Sequence, residues 1–167
     1  PVLKTYPNND EILKVLAWVN RRYGNFDTSI EYMKRALVLA PRDRELIYSL
    51  GETYYAMRDF EQAQVYLDKL LSVDSGTARG YQLKAYQAAG RDDDFKSAAR
   101  LLNLASDLNY LAVEAWAYHV LAGDYEKAMV AAEAIEETDD TKGFFSGLTL
   151  LASGQPETAR PMLEKAR

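Results

Sequence analysis

Few side chains in this sequence have the type and spacing that chemistry needs. His119 is the single histidine of 167 residues and stands between Tyr118 and Val120 in a helical stretch. An imidazole titrates near neutral pH and suits acid–base work, but a lone one on a helix reads as a packed structural histidine. Asp92-Asp93-Asp94 is the one dense carboxylate cluster. A calcium loop would space its oxygen ligands and place a glycine at the turn; this run does neither, so a solvated turn is expected. Cysteine is absent, which removes disulfides, thiolate metal sites and a cysteine nucleophile without choosing between cytoplasm and periplasm. Gly24, Gly51, Gly90, Gly123 and Gly154 follow no strand, so they punctuate the chain rather than cradle a phosphate. The expectation is no catalytic residue, no metal and no cofactor.

Composition points the same way. Hydrophobic residues make up 48% and charged ones 27%, as in a globular protein with a real core. The net charge of -5 argues against a general phosphate-backbone binder, so no nucleic-acid partner is expected. No apolar run approaches the roughly 20 residues that span a bilayer, so no direct membrane insertion is expected. Residues 1–77 carry ten basic and eleven acidic side chains, a net of -1, and residues 78–167 carry ten and fourteen, a net of -4. The acids gather at Glu133, Glu136, Glu137, Asp139 and Asp140, most simply a solvated helix end. The chain starts at Pro1 and stops inside a helix-like run, Pro161 to Arg167, and is read as an excerpt of a longer protein.

The elements that would position any site repeat themselves. Phe26, Phe60, Phe95, Tyr125 and Pro156 each follow a Gly or Asp turn. Three residues after them come Ser29, Ala63, Ala98, Ala128 and Ala159; four further on come Met33, Leu67, Leu102 and Leu163, with Ala132 the small exception. Upstream of the turns, Leu13-Leu16-Ala17-Asn20, Ile47-Leu50-Gly51-Tyr54 and Tyr81-Ala85-Ala88 keep helical spacing. Small residues at Ala17, Gly51, Ala85 and at Ser29, Ala63, Ala98 are expected where two helices of a pair approach closely. The turn aromatic then fills the gap to the next pair. One pair cannot bury its apolar face alone, whereas stacked neighbours share a core.

This pattern resembles the tetratricopeptide repeat family, a 34-residue helix–turn–helix. The predicted fold is all-α, an α-solenoid of antiparallel helix pairs. Residues 44–77 match best, with Leu50-Gly51, Tyr54, Phe60 and Ala63 in family order, and residues 10–43 are nearly as good. Residues 1–9 look like the tail of a preceding repeat, 78–110 form a third, 111–139 a shortened fourth, and 140–167 a shortened or truncated fifth. Phe60 to Phe95 is one residue long, Phe95 to Tyr125 four short and Tyr125 to Pro156 three short. Trimmed first helices are therefore expected in the last two repeats, near Leu111 to Ala122 and Thr141 to Ala152. Trp116 falls near a position that the family keeps small.

The resemblance implies function as well. First helices of such arrays line a concave face that grips a polypeptide. Carried over by position, the partner-binding groove would comprise Lys14, Trp18, Arg21 and Arg22 from the first repeat, Tyr48, Glu52 and Tyr55 from the second, and Arg79, Gln82 and Tyr86 from the third. Aromatic and arginine side chains of this kind are enriched where proteins bind partners; the plainer reading is that the tyrosines finish packing between repeats. Later concave positions, Val113, Val120, Phe144, Phe145, Leu148 and Leu151, are greasier. A carboxylate clamp of the kind some family members use on chaperone tails would want asparagines where Trp18 and Ser49 stand. The expected role is a protein–protein interaction scaffold, a module of a larger bacterial-type assembly or export protein. The alternative is a substrate-selecting repeat domain attached to a catalytic domain, such as a sugar transferase, outside the excerpt. End-to-end self-association through uncapped repeats is a further expectation.

Overall fold

A computed structural model describes residues 7–106, 111–135 and 138–166. Among them are ten helices and no strand. They run as α1 (Asp10–Arg22), α2 (Phe26–Leu39), α3 (Arg44–Ala56), α4 (Phe60–Val73), α5 (Ala78–Asp92), α6 (Phe95–Leu102), α7 (Ala112–Leu121), α8 (Tyr125–Glu133), α9 (Asp139–Ala152) and α10 (Pro156–Lys165). Consecutive helices pack as pairs, which gives the all-α helical-repeat class that the pattern predicts. The chain divides into two compact units, residues 1–75 with α1–α4 and residues 76–167 with α5–α10.

Local chemistry sets the pair boundaries. Each turn places one residue at positive φ: Gly24, Arg58, Asp93, Gly123 or Gly154. The residue after it stands at the N-cap of the second helix, and at Asp59, Asp94 and Asp124 the carboxylate accepts the otherwise unpaired amide of Gln62, Ser97 or Lys127. Asp94 and Asp93 thus serve the turn as cap and left-handed residue.

Packing explains the small residues. Ala17, Ser29, Ala63, Ala85, Ala98, Ala128 and Ala159 are fully buried. The Ser29 hydroxyl donates to the Ala17 carbonyl at 2.7 Å, a distance that two bulky side chains would forbid. A Cβ on Gly51 would lie 3.3 Å from Leu67 and one on Gly147 2.7 Å from Leu163, sixteen residues on in both cases. In the first unit Leu13, Met33, Leu46, Ile47, Leu50 and Leu70 join in one core, flanked by Tyr32, Tyr48, Tyr55 and Tyr66. The second unit's core is lighter, with Ala85, Ala98, Leu102, Ala105, Leu111 and Ala115.

The shortening falls only partly where it is expected. α7 is trimmed to 10 residues against 13 in α1 and α3, but α9 keeps 14. Further turns are lost from second helices: α6 has 8 residues and α8 has 9, against 14 in α2 and α4. A physical cause is visible after α6. The chain tightens there, Leu104 and Ala105 amides bonding carbonyls three residues back, and Ser106 donates through both its amide (3.1 Å) and its hydroxyl (2.8 Å) to the Gly76 carbonyl. Only glycine fits at 76, because an added Cβ would sit 1.9 Å from the Ser106 hydroxyl. Residues 1–6, read as the tail of a preceding repeat, lie outside the described residues.

Candidate functional site

The first unit holds seven of the predicted groove residues. On α1 the face opposite buried Leu13 and Ala17 carries Glu11, Val15, Trp18 and Arg22, spaced four, three and four residues apart, which puts them in one row. Val15 is 53% and Trp18 37% exposed, and Arg22 is exposed. On α3 the corresponding row is Tyr48, Glu52 and Tyr55, all half-buried. The two rows are joined: Arg21 Nη1 lies 2.7 Å from Glu52 Oε2, and the Tyr48 hydroxyl donates to Glu52 Oε1 at 3.4 Å. Tyr48 and Tyr55 also rest on the unit's core, and Tyr55 meets Phe60 edge-on at 5.7 Å. These tyrosines therefore present one side to packing and one to the row.

Lys14 is engaged differently. Its ammonium lies 2.7 Å from Asp43, 2.8 Å from Glu11 and 3.6 Å from Asp10, with only 12% of the side chain exposed. The hydrogen bonds it donates to Asp43 and Glu11 raise its pKa, against a smaller desolvation effect. Burial opposes the charge on Asp43, but the Lys14 hydrogen bond and the Leu46 and Glu45 amides outweigh it and hold the carboxyl below its usual range. Asp43 also caps α3 through Leu46 N at 3.1 Å. Its sequence position marks it as a cap; nothing in the spacing marks it as the partner of Lys14. Ser49, another concave position in the resemblance, is buried, its neighbour Thr53 bonding back to its carbonyl.

In the second unit Arg79, Gln82 and Tyr86 share one face of α5, with Arg79 exposed and the other two half-buried. The Gln82 amide donates to Glu114 of α7 at 2.8 Å, a partner that the sequence pattern does not single out. Trp116 of α7 reaches α9 in turn, donating to the Thr149 hydroxyl at 2.8 Å and meeting Phe145 edge-on at 4.7 Å. Val113, Phe144 and Leu151 are exposed, whereas Leu83 is buried.

His119 is 5% exposed, and burial pulls its pKa down, Asp124 opposing. Its Nε2 lies 3.5 Å from the Asn103 amide nitrogen. Among the described residues no three His, Asp or Glu side chains gather as metal ligands, and no helix is long and apolar enough to cross a membrane. Glu136 and Glu137 of the acidic run fall outside the described residues.

Comparison with known proteins follows from this geometry. Residues 20–86 match the family model for the tetratricopeptide repeat. A stretch of 74 residues is 35% identical to the Protein CTR9 homolog of Arabidopsis thaliana; it amounts to 41% of this chain, and the chain spans 7% of that protein's length. Among solved structures, MamA superposes with a TM-score of 0.71 at 24% identity, over 94% of this chain and 89% of that one. PilW, described as a widely conserved type IV pilus biogenesis factor, gives 0.66 at 14% identity over 94% and 77%. YrrB, described as a TPR protein with an unusual peptide-binding site, gives 0.66 at 16% identity over 99% and 88%. At such identities the likeness to these structures is one of fold.

Proposed function

We propose that this chain, a tetratricopeptide repeat protein and so a protein–protein interaction scaffold, holds a partner polypeptide on the row formed by α1 and α3. The supporting observation is Trp18, which stands exposed beside Val15 and Arg22 on a helix whose opposite face is sealed into the core. A large aromatic in water is a standing cost that a partner relieves. Arg22 forms no ion pair among the described residues, so it is available to a carboxylate. Lys14 and Arg21 already have carboxylate partners and act by holding the two helices in register. The segment that suits this row carries an apolar anchor for Trp18 and Val15 and an acidic residue three or four positions away for Arg22. On the second unit taken by itself, Arg79, Gln82 and Tyr86 would form a row of the same kind on α5. The match to a small share of a much longer relative supports a module of a larger assembly protein.

Selection of a displayed random-peptide library on the protein tests this. Enriched peptides should carry an apolar–acidic pair, and Trp18→Ala or Arg22→Glu should weaken them at least tenfold, as central aromatic and arginine contacts do, with helical circular dichroism unchanged. Peptides that bind both variants as well as the parent would remove the row from the account.

A further inference from the structure

The two units can be compared position by position, because each pair is indexed by its left-handed turn residue. Counted from Arg58 in the second pair and Gly123 in the fourth, Tyr54 corresponds to His119 and Tyr66 to Ala131. Counted from Gly24 and Asp93, Lys34 of the preceding pair corresponds to Asn103. In the first unit all three positions are filled. The rings of Tyr54 and Tyr66 stack with centroids 5.6 Å apart and planes 12° apart, and the Lys34 ammonium sits 5.5 Å from the Tyr54 centroid. In the second unit the imidazole of His119 takes the first ring's place and Asn103 the cation's, while Ala131 puts a methyl group where the second ring stood. A cavity of about 190 Å³ is found there, lined by Leu102, Leu111, Ala115 and Ala131, with Asn103, His119 and Lys127 as polar groups and an opening beside the exposed Lys127 and Val130.

We propose that this cavity binds a single six-membered aromatic ring carrying a hydroxyl. Size supports the ring: an apolar protein cavity of roughly 150 Å³ takes up benzene. The walls support it too, since the aliphatic side chains of Leu102, Leu111, Ala115 and Ala131 are what an aromatic ring packs against. Polarity supports the hydroxyl. His119 is buried, and the Asn103 amide nitrogen lies 3.5 Å from its Nε2, the outer limit of a hydrogen bond. A phenolic O–H placed there can donate to the imidazole nitrogen and accept from the Asn103 amide, whose residue is exposed at the mouth of the cavity. The depressed pKa of His119 keeps it neutral and able to accept at pH 7. Such a ring belongs either to a free phenol or to a tyrosine side chain of a bound polypeptide, and the chemistry of recognition is shared.

Titration of ¹⁵N-labelled protein with p-cresol, followed by nuclear magnetic resonance, tests the assignment. The expected result is a saturable shift at the His119 ring and the amides of Ala115 and Ala131, with no saturable change in residues 7–75. Ala131→Phe supplies the missing ring; it should weaken p-cresol at least tenfold and raise the Tm. Should that variant not fold, Ala134, which also lines the cavity, offers a second variant: Ala134→Val narrows the space and should also weaken binding. A second arm uses N-acetyltyrosinamide: binding as tight as p-cresol assigns the ring to a polypeptide, and binding of p-cresol alone assigns it to a free phenol. No saturable shift up to the solubility of p-cresol, or binding undiminished in the cavity-filling variants, overturns the proposal.

Discussion

The two units obey one repeat rule with different materials. The first uses helices of 13 or 14 residues and fills its pair interfaces with leucine, methionine and stacked tyrosine. The second uses second helices of 8 to 10 residues and alanine at matching positions, and it carries a cavity. The contrast shows that the small residues at helix crossings are what the fold requires, since both units keep them, whereas the large residues around them are adjustable. Where the second unit spends fewer large side chains, it leaves room for something else to enter.

The sharpest way to break this comparison is to cut the same leucine from both units. Leu67 is fully buried over Gly51, and Leu163 is half-buried over Gly147. Leu67→Ala should cost about 3 kcal/mol, because the lost transfer energy is joined by an unrelaxed cavity. Leu163→Ala should cost about 1 kcal/mol, because part of that side chain already faces solvent. The chain has two tryptophans, Trp18 in the first unit and Trp116 in the second. Urea unfolding read by one of them, with the other changed to Phe, reports each unit. Equal losses would show that the units are equally packed and would remove the contrast.

A smaller effect separates the units electrostatically. The Lys14–Asp43 pair at 2.7 Å joins α1 to the start of α3 in the first unit. Asp43→Asn keeps a side-chain oxygen for the α3 cap and removes only the charge, so about 1 kcal/mol should be lost at pH 7. The sign follows from the lowered pKa of Asp43. The unfolded chain binds the proton more readily, so the contribution is complete above the unfolded value of about 3.9 and disappears as pH falls through the folded one. Parent and variant should therefore begin to converge below pH 4 in urea titrations and meet once the pH lies below the folded pKa of Asp43. A gap that persists there would assign the loss to geometry rather than charge.

Much of this was legible in the sequence for a physical reason. Helix crossings tolerate only small side chains, so Ala17, Gly51, Ala63 and Ala98 show through at fixed spacing, and the turn aromatics fix the phase. The spacing between turns counts residues without saying which helix gives them up, which is why shortening was expected in the first helix of the last repeat, yet α9 has 14 residues and α6 has 8. The stop after α6 depends on Gly76 and Ser106, thirty residues apart, a contact with no periodic signature. In the candidate site, Trp18 and Arg22 were named by the resemblance to the repeat family, and helical geometry accounts for their sharing one exposed row. The engagement of Lys14 did not, because Asp43 has a sufficient local role as a cap.

The smallest expected effect concerns the turn residues that index the comparison. Gly123 closes the fourth pair at φ 72, a conformation that glycine reaches without cost, whereas Arg58 closes the second at φ 62 with a side chain attached. A left-handed L-residue costs roughly 1–2 kcal/mol, partly offset by the entropy that glycine adds to the unfolded chain. Arg58→Gly should therefore stabilise the first unit by about 0.5 kcal/mol, and Gly123→Ala should destabilise the second by about 1 kcal/mol, read by the same two tryptophans. If Arg58→Gly instead weakens the first unit, the arginine side chain contributes more at this exposed turn than its backbone strain costs, and the units differ in their turns as well as in their cores.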